Sequence, residues 1–245
     1  MEHKEGLIVG RNAVLQALES GRTIDSVTVT QGQRGGQASK IIDICRERKI
    51  PVKFADARKL DRLCDGAAHQ GVAAFAAAHE YAELDDIFAL AQSRNESPFI
   101  VVCDSLEDPH NLGAILRSAE AAGVHGVIIP KRNSVTLNYT VAKTSAGAIE
   151  YVPVVKVANL PAVIDELKAR GVWIFGADMD GTDYTSLDYS GSIALVIGSE
   201  GKGIGRLVRE KCDFIASMPM RGKINSLNAS VAAGILMFEA AKHRN

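Results

Sequence analysis

The sequence predicts an α/β protein, with a small N-terminal αβ domain over residues 1–77 and a larger α/β domain over 98–245, joined by a linker at 78–97. Three observations carry this. Apolar strand-like runs alternate with helical patterns almost throughout the 245 residues, the mark of mostly parallel sheets. The stretch HEYAELDDIFALAQSRNESP interrupts that series with acidic and polar residues around one short amphipathic helix, 84–93. The length suits one large domain or two small ones.

In the small domain the expected elements are helix 10–20, strand 26–30, helix 38–49, strand 51–55, helix 57–64 and strand 70–77. VGRNAVLQALES puts Val14, Leu15 and Leu18 on one helix face, an ordinary core pattern. QGQRGGQASK, 31–40, reads as a surface loop or as an adaptable RNA-contacting one. The large domain follows with strand 98–104, helix 109–122, strand 124–130, helix 138–147, strand 151–155, helix 159–170 and strand 172–177. Strand 192–198, helix 204–211, strand 213–218 and helix 228–242 complete it. Trp173 is expected inside a buried strand.

A hydrophobic share of 47% with 23% charged residues is that of a soluble globular chain. No apolar run has the length of a membrane span, and MEHKEGLIVG lacks the apolar core of a secretory signal. A cytoplasmic protein, with no membrane partner, is the expectation. Cys45, Cys64, Cys103 and Cys212 lie far apart without metal-ligand spacing, so reduced thiols and no metal are expected. The net charge of −1 supplies no basic field for nucleic acid. Any RNA partner must be argued from motifs.

Three segments carry chemistry. In DSLEDPHNLGAILRSAEAAG, Asp108 suits a helix cap, Pro109 the first helical position and Gly123 the exit. Leu112, Ile115, Leu116 and Ala119 form the buried stripe, and Arg117 lies nearly opposite it. Asn111 sits in the first turn, where a polar helix-start residue is also ordinary. In IALVIGSEGKGIG a buried strand runs into a Gly-rich loop, a setting in which backbone amides approach nucleotide-like ligands. Phosphate-loop and dinucleotide fingerprints both fail there. Glu200 occupies its tight turn. In KINSLNASVAA, residues Asn225, Ser226, Asn228 and Ser230 crowd a helix start, more short polar groups than one cap requires.

Together and in this order, the segments resemble the signature motifs of the SpoU (TrmH-like) RNA ribose 2′-O-methyltransferases, as DPHNLGAILR, then LVIGSEGKG, then MPMRG with SLNASVA. The whole chain is similar to the RlmB-like subgroup, which methylates a guanosine ribose in large-subunit (23S) rRNA. GRNAVLQAL and HQGVAA resemble that subgroup's N-terminal domain. Where the family commonly has Ile-Pro-Met, this chain has Met218-Pro219-Met220, an apolar exchange.

The resemblance implies a trefoil-knotted (SPOUT) catalytic domain, a homodimer, and S-adenosyl-L-methionine held by main-chain atoms around Gly198, Met218 and Leu227, with Gly176 lining the first cofactor loop. It implies that Arg117 acts at the reacting 2′-hydroxyl and that Asn111, Glu200, Ser226 and Asn228 orient it, the ribose and the loop. It implies that the N-terminal domain recognises RNA and not DNA, with Arg11, Arg34 and Lys40 joining Lys131 and Arg132. Other readings are methylation of a transfer RNA ribose or of an rRNA adenosine for antibiotic resistance, a non-catalytic ribosome-assembly factor, and an oxidoreductase, which the missing dinucleotide fingerprint disfavours.

Overall fold

The computed structural model describes residues 6–32, 36–77, 79–223 and 226–244, so Arg34 and Asn225 lie outside the described residues. Two compact units form. One runs to Glu80 and includes Thr136–Tyr139; the other takes Tyr81–Val135 and Thr140 onward.

The first unit holds β1 (Leu7–Val9), α1 (Arg11–Glu19), β2 (Ile24–Thr30), α2 (Gly36–Glu47), β3 (Val52–Ala55), α3 (Ala57–Leu63) and β4 (Val72–Ala76). Its sheet order is β1-β4-β2-β3. Only β2 and β3 run parallel, and β4 lies antiparallel to both β1 and β2. The expectation of mostly parallel sheets therefore needs correcting here. β1 was not foreseen, because three half-buried residues are too few to show a period. Val14, Leu18, Val27, Val29 and Ile41 are fully buried and make the core.

The second unit holds α4 (Leu84–Ser93), β5 (Phe99–Cys103), α5 (Pro109–Ala121), β6 (Gly126–Pro130), α6 (Tyr139–Thr144), β7 (Val154–Val157), α7 (Leu160–Ala169), β8 (Trp173–Asp183), β9 (Ile193–Ile197), α8 (Arg206–Arg209), β10 (Phe214–Ser217) and α9 (Ala229–Ala241). All six strands are parallel, in the order β10-β8-β9-β5-β6-β7. β5 and β9 are buried along their whole length, as strands covered on both faces must be. Ile100, Val102, Ile128, Ile174 and Val196 pack with Ile164 and Leu167 of α7 in one core cluster. α5 and α9 pack against each other, and α9 against β9.

Within the segment expected to link the domains, α4 buries Ile87 and Ala91, and Ile87 enters this second core. Burying an isoleucine contributes roughly 1.5–3 kcal/mol, which is ample to hold a short helix in place. Helix 204–211 shrinks to the four residues of α8, whereas β8 runs on to Asp183. Trp173 is not buried. It is 55% exposed and packs against Phe214 with ring centroids 5.9 Å apart.

His125 sits wholly inside this unit. Its Nδ1 accepts the Phe99 N–H at 3.0 Å, so the ring proton is on Nε2, donated to Glu96 Oε2 at 3.0 Å. Burial holds its pKa below the ordinary 6.5, against the upward pull of Glu96, with Arg94 and Arg244 adding to the depression. The unfolded chain then binds a proton that the folded chain refuses, so stability is lost as pH falls through about 6.5. Denaturant titrations from about pH 7.5 to 5.5 should show that fall, on the order of 1 kcal/mol per pH unit at the acid end. A His125→Gln variant should be less stable at the upper pH and lose most of this slope. An unchanged slope would assign the acid sensitivity to other groups.

Candidate active site

The site gathers at the C-terminal ends of β5, β8, β9 and β10, where open parallel sheets hold their ligands. At the end of β9 the chain turns back on itself at once. Ser199 and Gly203 exchange main-chain hydrogen bonds at 3.2 and 2.8 Å. A Cβ on Gly198 would lie 2.1 Å from the Gly203 carbonyl carbon, so only glycine fits there.

This turn lifts Glu200 to the start of two helices. Its Oε1 accepts from Asn111 Nδ2 at 3.2 Å, from the Ala229 N–H at 3.2 Å, and from Asn228 Nδ2 in a short contact. Asn228 Nδ2 spends its other hydrogen on Asn111 Oδ1, 2.9 Å away. Asn111 is only 6% exposed, which explains why each of its polar atoms is matched. Asn228 Oδ1 meanwhile caps α9, accepting from the N–H groups of Ser230 at 3.0 Å and Val231 at 3.3 Å and from Ser230 Oγ at 2.6 Å. One asparagine thus caps a helix with its oxygen and ties three loops together with its nitrogen. Glu200 Oε2 accepts no hydrogen bond from a described residue.

Beside this cluster β8 leaves its ladder with β10. Gly176 pairs with Ile215 and Thr182 with the next residue, Ala216, so Ala177 to Gly181 bulge outward. A Cβ at Gly181 would stand 2.3 Å from the Ile215 carbonyl oxygen, and the bulge closes there because glycine allows it. Gly176 is buried against Cys212 Sγ. Met218 is half-buried, Leu227 is 36% exposed and Met220 37% exposed. Among the described residues, the amides of Met218, Arg221, Gly222, Lys223, Ser226 and Leu227 make no hydrogen bond. The connection from β10 to α9 therefore offers free main-chain donors next to apolar side chains, a setting suited to a purine ring.

The structure joins Asn111, Glu200 and Asn228 and leaves two expected residues apart from them. Arg117 is exposed on α5, one turn beyond Gly113, and makes no hydrogen bond or ion pair with a described residue. Ser226 is exposed and equally free of hydrogen bonds to described residues. Of the cations expected to meet RNA, Arg11 donates to Gln70 O at 2.7 Å and Lys40 to Glu19 at 2.7 Å. Sequence reasoning missed Asp104, a buried carboxylate at the end of β5, and Arg209 on α8; an acid closing a buried strand was the available signal for the first. Among the described residues no three His, Cys, Asp or Glu side chains are placed to hold a metal ion, and no helix is long and apolar enough to cross a membrane.

Residues 98–238, which carry all of this geometry, match the SpoU rRNA Methylase family. The chain belongs to that family. Ahead of them, residues 7–82 match the domain described as RNA 2′-O ribose methyltransferase substrate binding. A Bacillus subtilis (strain 168) protein with the provisional name TrmH family tRNA/rRNA methyltransferase YacO is 48% identical over 246 residues, covering 100% of this chain and 98% of that one. A Staphylococcus aureus (strain MSSA476) relative of the same provisional name is 48% identical over 243 residues, 99% and 98% of the two chains. Among solved structures, the SpoU methyltransferase AviRb of Streptomyces viridochromogenes in complex with AdoMet superposes with a TM-score of 0.61 at 26% identity, covering 96% of this chain and 89% of that one. The AdoMet-bound rRNA methyltransferase of Sinorhizobium meliloti gives 0.61 at 26%, over 97% and 87%. The SpoU assignment thus spans both units of the chain.

Proposed function

We propose that this SpoU family chain is an S-adenosylmethionine-dependent methyltransferase of RNA ribose 2′-oxygens, acting in the cytoplasm as a homodimer on a guanosine of 23S rRNA. The observation that carries the reading is the Asn111–Glu200–Asn228 cluster at the strand ends, in a site where the β10–α9 loop has free main-chain amides. The residues present fit the cofactor: the loops around Gly198, Met218 and Leu227, with the β8 bulge, would hold its adenine and amino-acid ends. When bound it supplies an electrophilic methyl group on sulfonium sulfur, so the protein has only to align the 2′-oxygen and help remove its proton.

Arg117 suits the substrate side of that task. An arginine stays charged at any working pH and makes a poor base. Its guanidinium, which no described residue engages, would hold an RNA phosphate and steady negative charge growing on the 2′-oxygen. Glu200 Oε2 remains to orient Arg117 or the ribose, and Ser226 would join it there once substrate is bound. Homodimer formation accords with the apolar stripe of α9, where Val231, Ile235 and Phe238 are 50%, 36% and 51% exposed. The knotted threading of the C-terminal segment is part of the same reading. Residues 1–77 would bind the RNA by shape and 2′-hydroxyls, which a near-neutral chain can do through local contacts.

The experiment is methylation of protein-free large-subunit rRNA, digestion to nucleosides and mass spectrometry. Methyl is expected on the ribose of guanosine. Methyl on a base would overturn the ribose assignment, and methyl found only on transfer RNA would overturn the rRNA one.

A further inference from the structure

We propose that α8 is a strut that sets the spacing between two parts of the cofactor site, the Glu200 turn and the β8 bulge, and that Arg209 and Asp104 are the positioning residues at its ends. The inference rests on the cofactor reading above and names the residues that shape that site.

A helix of four residues has no stability of its own, since nucleation alone outweighs its few hydrogen bonds. Something outside α8 must hold it. Its cap residue Gly205 has no side chain to offer. Instead the Gly205 N–H donates to Asp104 Oδ2 at 2.7 Å, a carboxylate 7% exposed whose other oxygen accepts from Ser105 Oγ at 3.0 Å. Asp104 is itself fastened to β9, its N–H donating to Ile197 O at 2.8 Å. One end of α8 is thereby tied to the start and finish of the Glu200 turn.

At the other end Arg209 reaches the β8 bulge. Its Nε donates to Asp178 Oδ2 at 2.8 Å and its Nη2 to the Asp180 carbonyl at 3.3 Å. Asp178 in turn accepts the Met179 N–H at 2.7 Å, and Ser217 Oγ holds Met179 O at 2.6 Å. One guanidinium therefore spans the bulge through two separate acceptors, a constraint that a point-charge lysine reproduces only in part. Arg206, one turn back, pairs with Glu210 on its own stretch at 2.6 Å and, among the described residues, joins no second loop.

The Arg209–Asp178 pair is partly exposed, 41% and 26% by side chain, so its contribution to folding stability is small. Its consequence is geometric. Without it the Ala177–Gly181 bulge loses its tether to the Glu200 turn, and the cofactor meets two loops at a variable separation.

The test is calorimetric titration of S-adenosylhomocysteine into the full-length protein. Arg209→Met should weaken binding about tenfold, because a displaced loop must be reordered on binding. Asp178→Asn should weaken it less, and Arg209→Met with Asp178→Asn should be no worse than Arg209→Met alone, since the contact is already gone. Arg206→Met should bind as the parent does. In turnover, the KM for the cofactor should rise more in Arg209→Met than kcat falls, and Arg209→Lys should recover part of the loss. Asp104→Asn, whose amide oxygen still accepts the Gly205 N–H, should bind better than Asp104→Leu. Parent-like binding by Arg209→Met, or additive losses in the double variant, would remove the strut while the cofactor reading stood. Failure of the parent to bind would remove both.

Discussion

Replacing Arg117 by alanine is expected to leave folding untouched and to slow methyl transfer at least about a hundredfold, the scale of losing one group that stabilises developing charge. The fold prediction follows from its surroundings: Arg117 is exposed and holds no described partner, while the neighbouring Leu116 and Ile115 are fully buried. Truncation therefore opens no cavity and strands no polar group. The rate prediction follows from the same isolation. A long cation unengaged by any described residue, on the helix whose first turn carries Asn111, is available to RNA. Single-turnover transfer to rRNA, measured beside the thermal midpoint of both proteins, checks the pair of claims. A variant as fast as the parent would reduce Arg117 to a solvated surface residue.

Gly198→Ala is expected to abolish cofactor binding in practical terms, a loss of more than about a hundredfold for a displaced loop. The added methyl would lie 2.1 Å from the Gly203 carbonyl carbon and 2.4 Å from both its oxygen and the Ile204 nitrogen. All three are main-chain atoms, so no side chain can swing aside. The Ser199–Gly203 pairing must open, and Glu200 then leaves the amides of Asn111, Asn228 and Ala229. Gly201→Ala is the control, since nothing stands within 4 Å of its Cβ position. Titration with S-adenosylhomocysteine should separate the two glycines sharply. Equal affinities for Gly198→Ala and Gly201→Ala would mean that the turn is not part of the cofactor site.

Much of this molecule could be read along the chain because the relevant forces act locally. Asp108, Pro109 and the 112/115/116/119 stripe give α5 its cap, its first turn and its buried face; the structure finds Asp108 accepting the His110 N–H at 2.8 Å and Pro109–Ala121 helical. The apolar runs of β5 and β9 mark strands covered on both faces, and they are buried throughout. Short elements were the exception. β1 has too few residues to show a period, and the pattern over 204–211 is longer than α8 because its apolar positions Ile204 and Val208 serve core packing and not an extended helix.

The site divides differently. The residue types at Asn111, Glu200 and Asn228 were readable as candidates, Asn228 because its turn holds more short polar groups than one cap requires and all three because their segments resemble a methyltransferase family's motifs. That they bond to one another was not, since Asn111 lies 89 and 117 positions from its partners and nothing local specifies such a pairing. Strand order decides it: β5, β9 and β8 lie side by side although β6 and β7 intervene in sequence. The same holds for Trp173, whose strand-like neighbours predicted burial and whose place beside Phe214 leaves it exposed. Asp104 and Arg209 looked like an ordinary strand-end acid and an ordinary helix charge. Only the tertiary arrangement brings one within 2.7 Å of the Gly205 amide and the other within 2.8 Å of Asp178. Local propensity sets what each segment becomes, whereas contacts between distant segments depend on how the sheet orders its strands, and that order is chosen by the burial of the whole core.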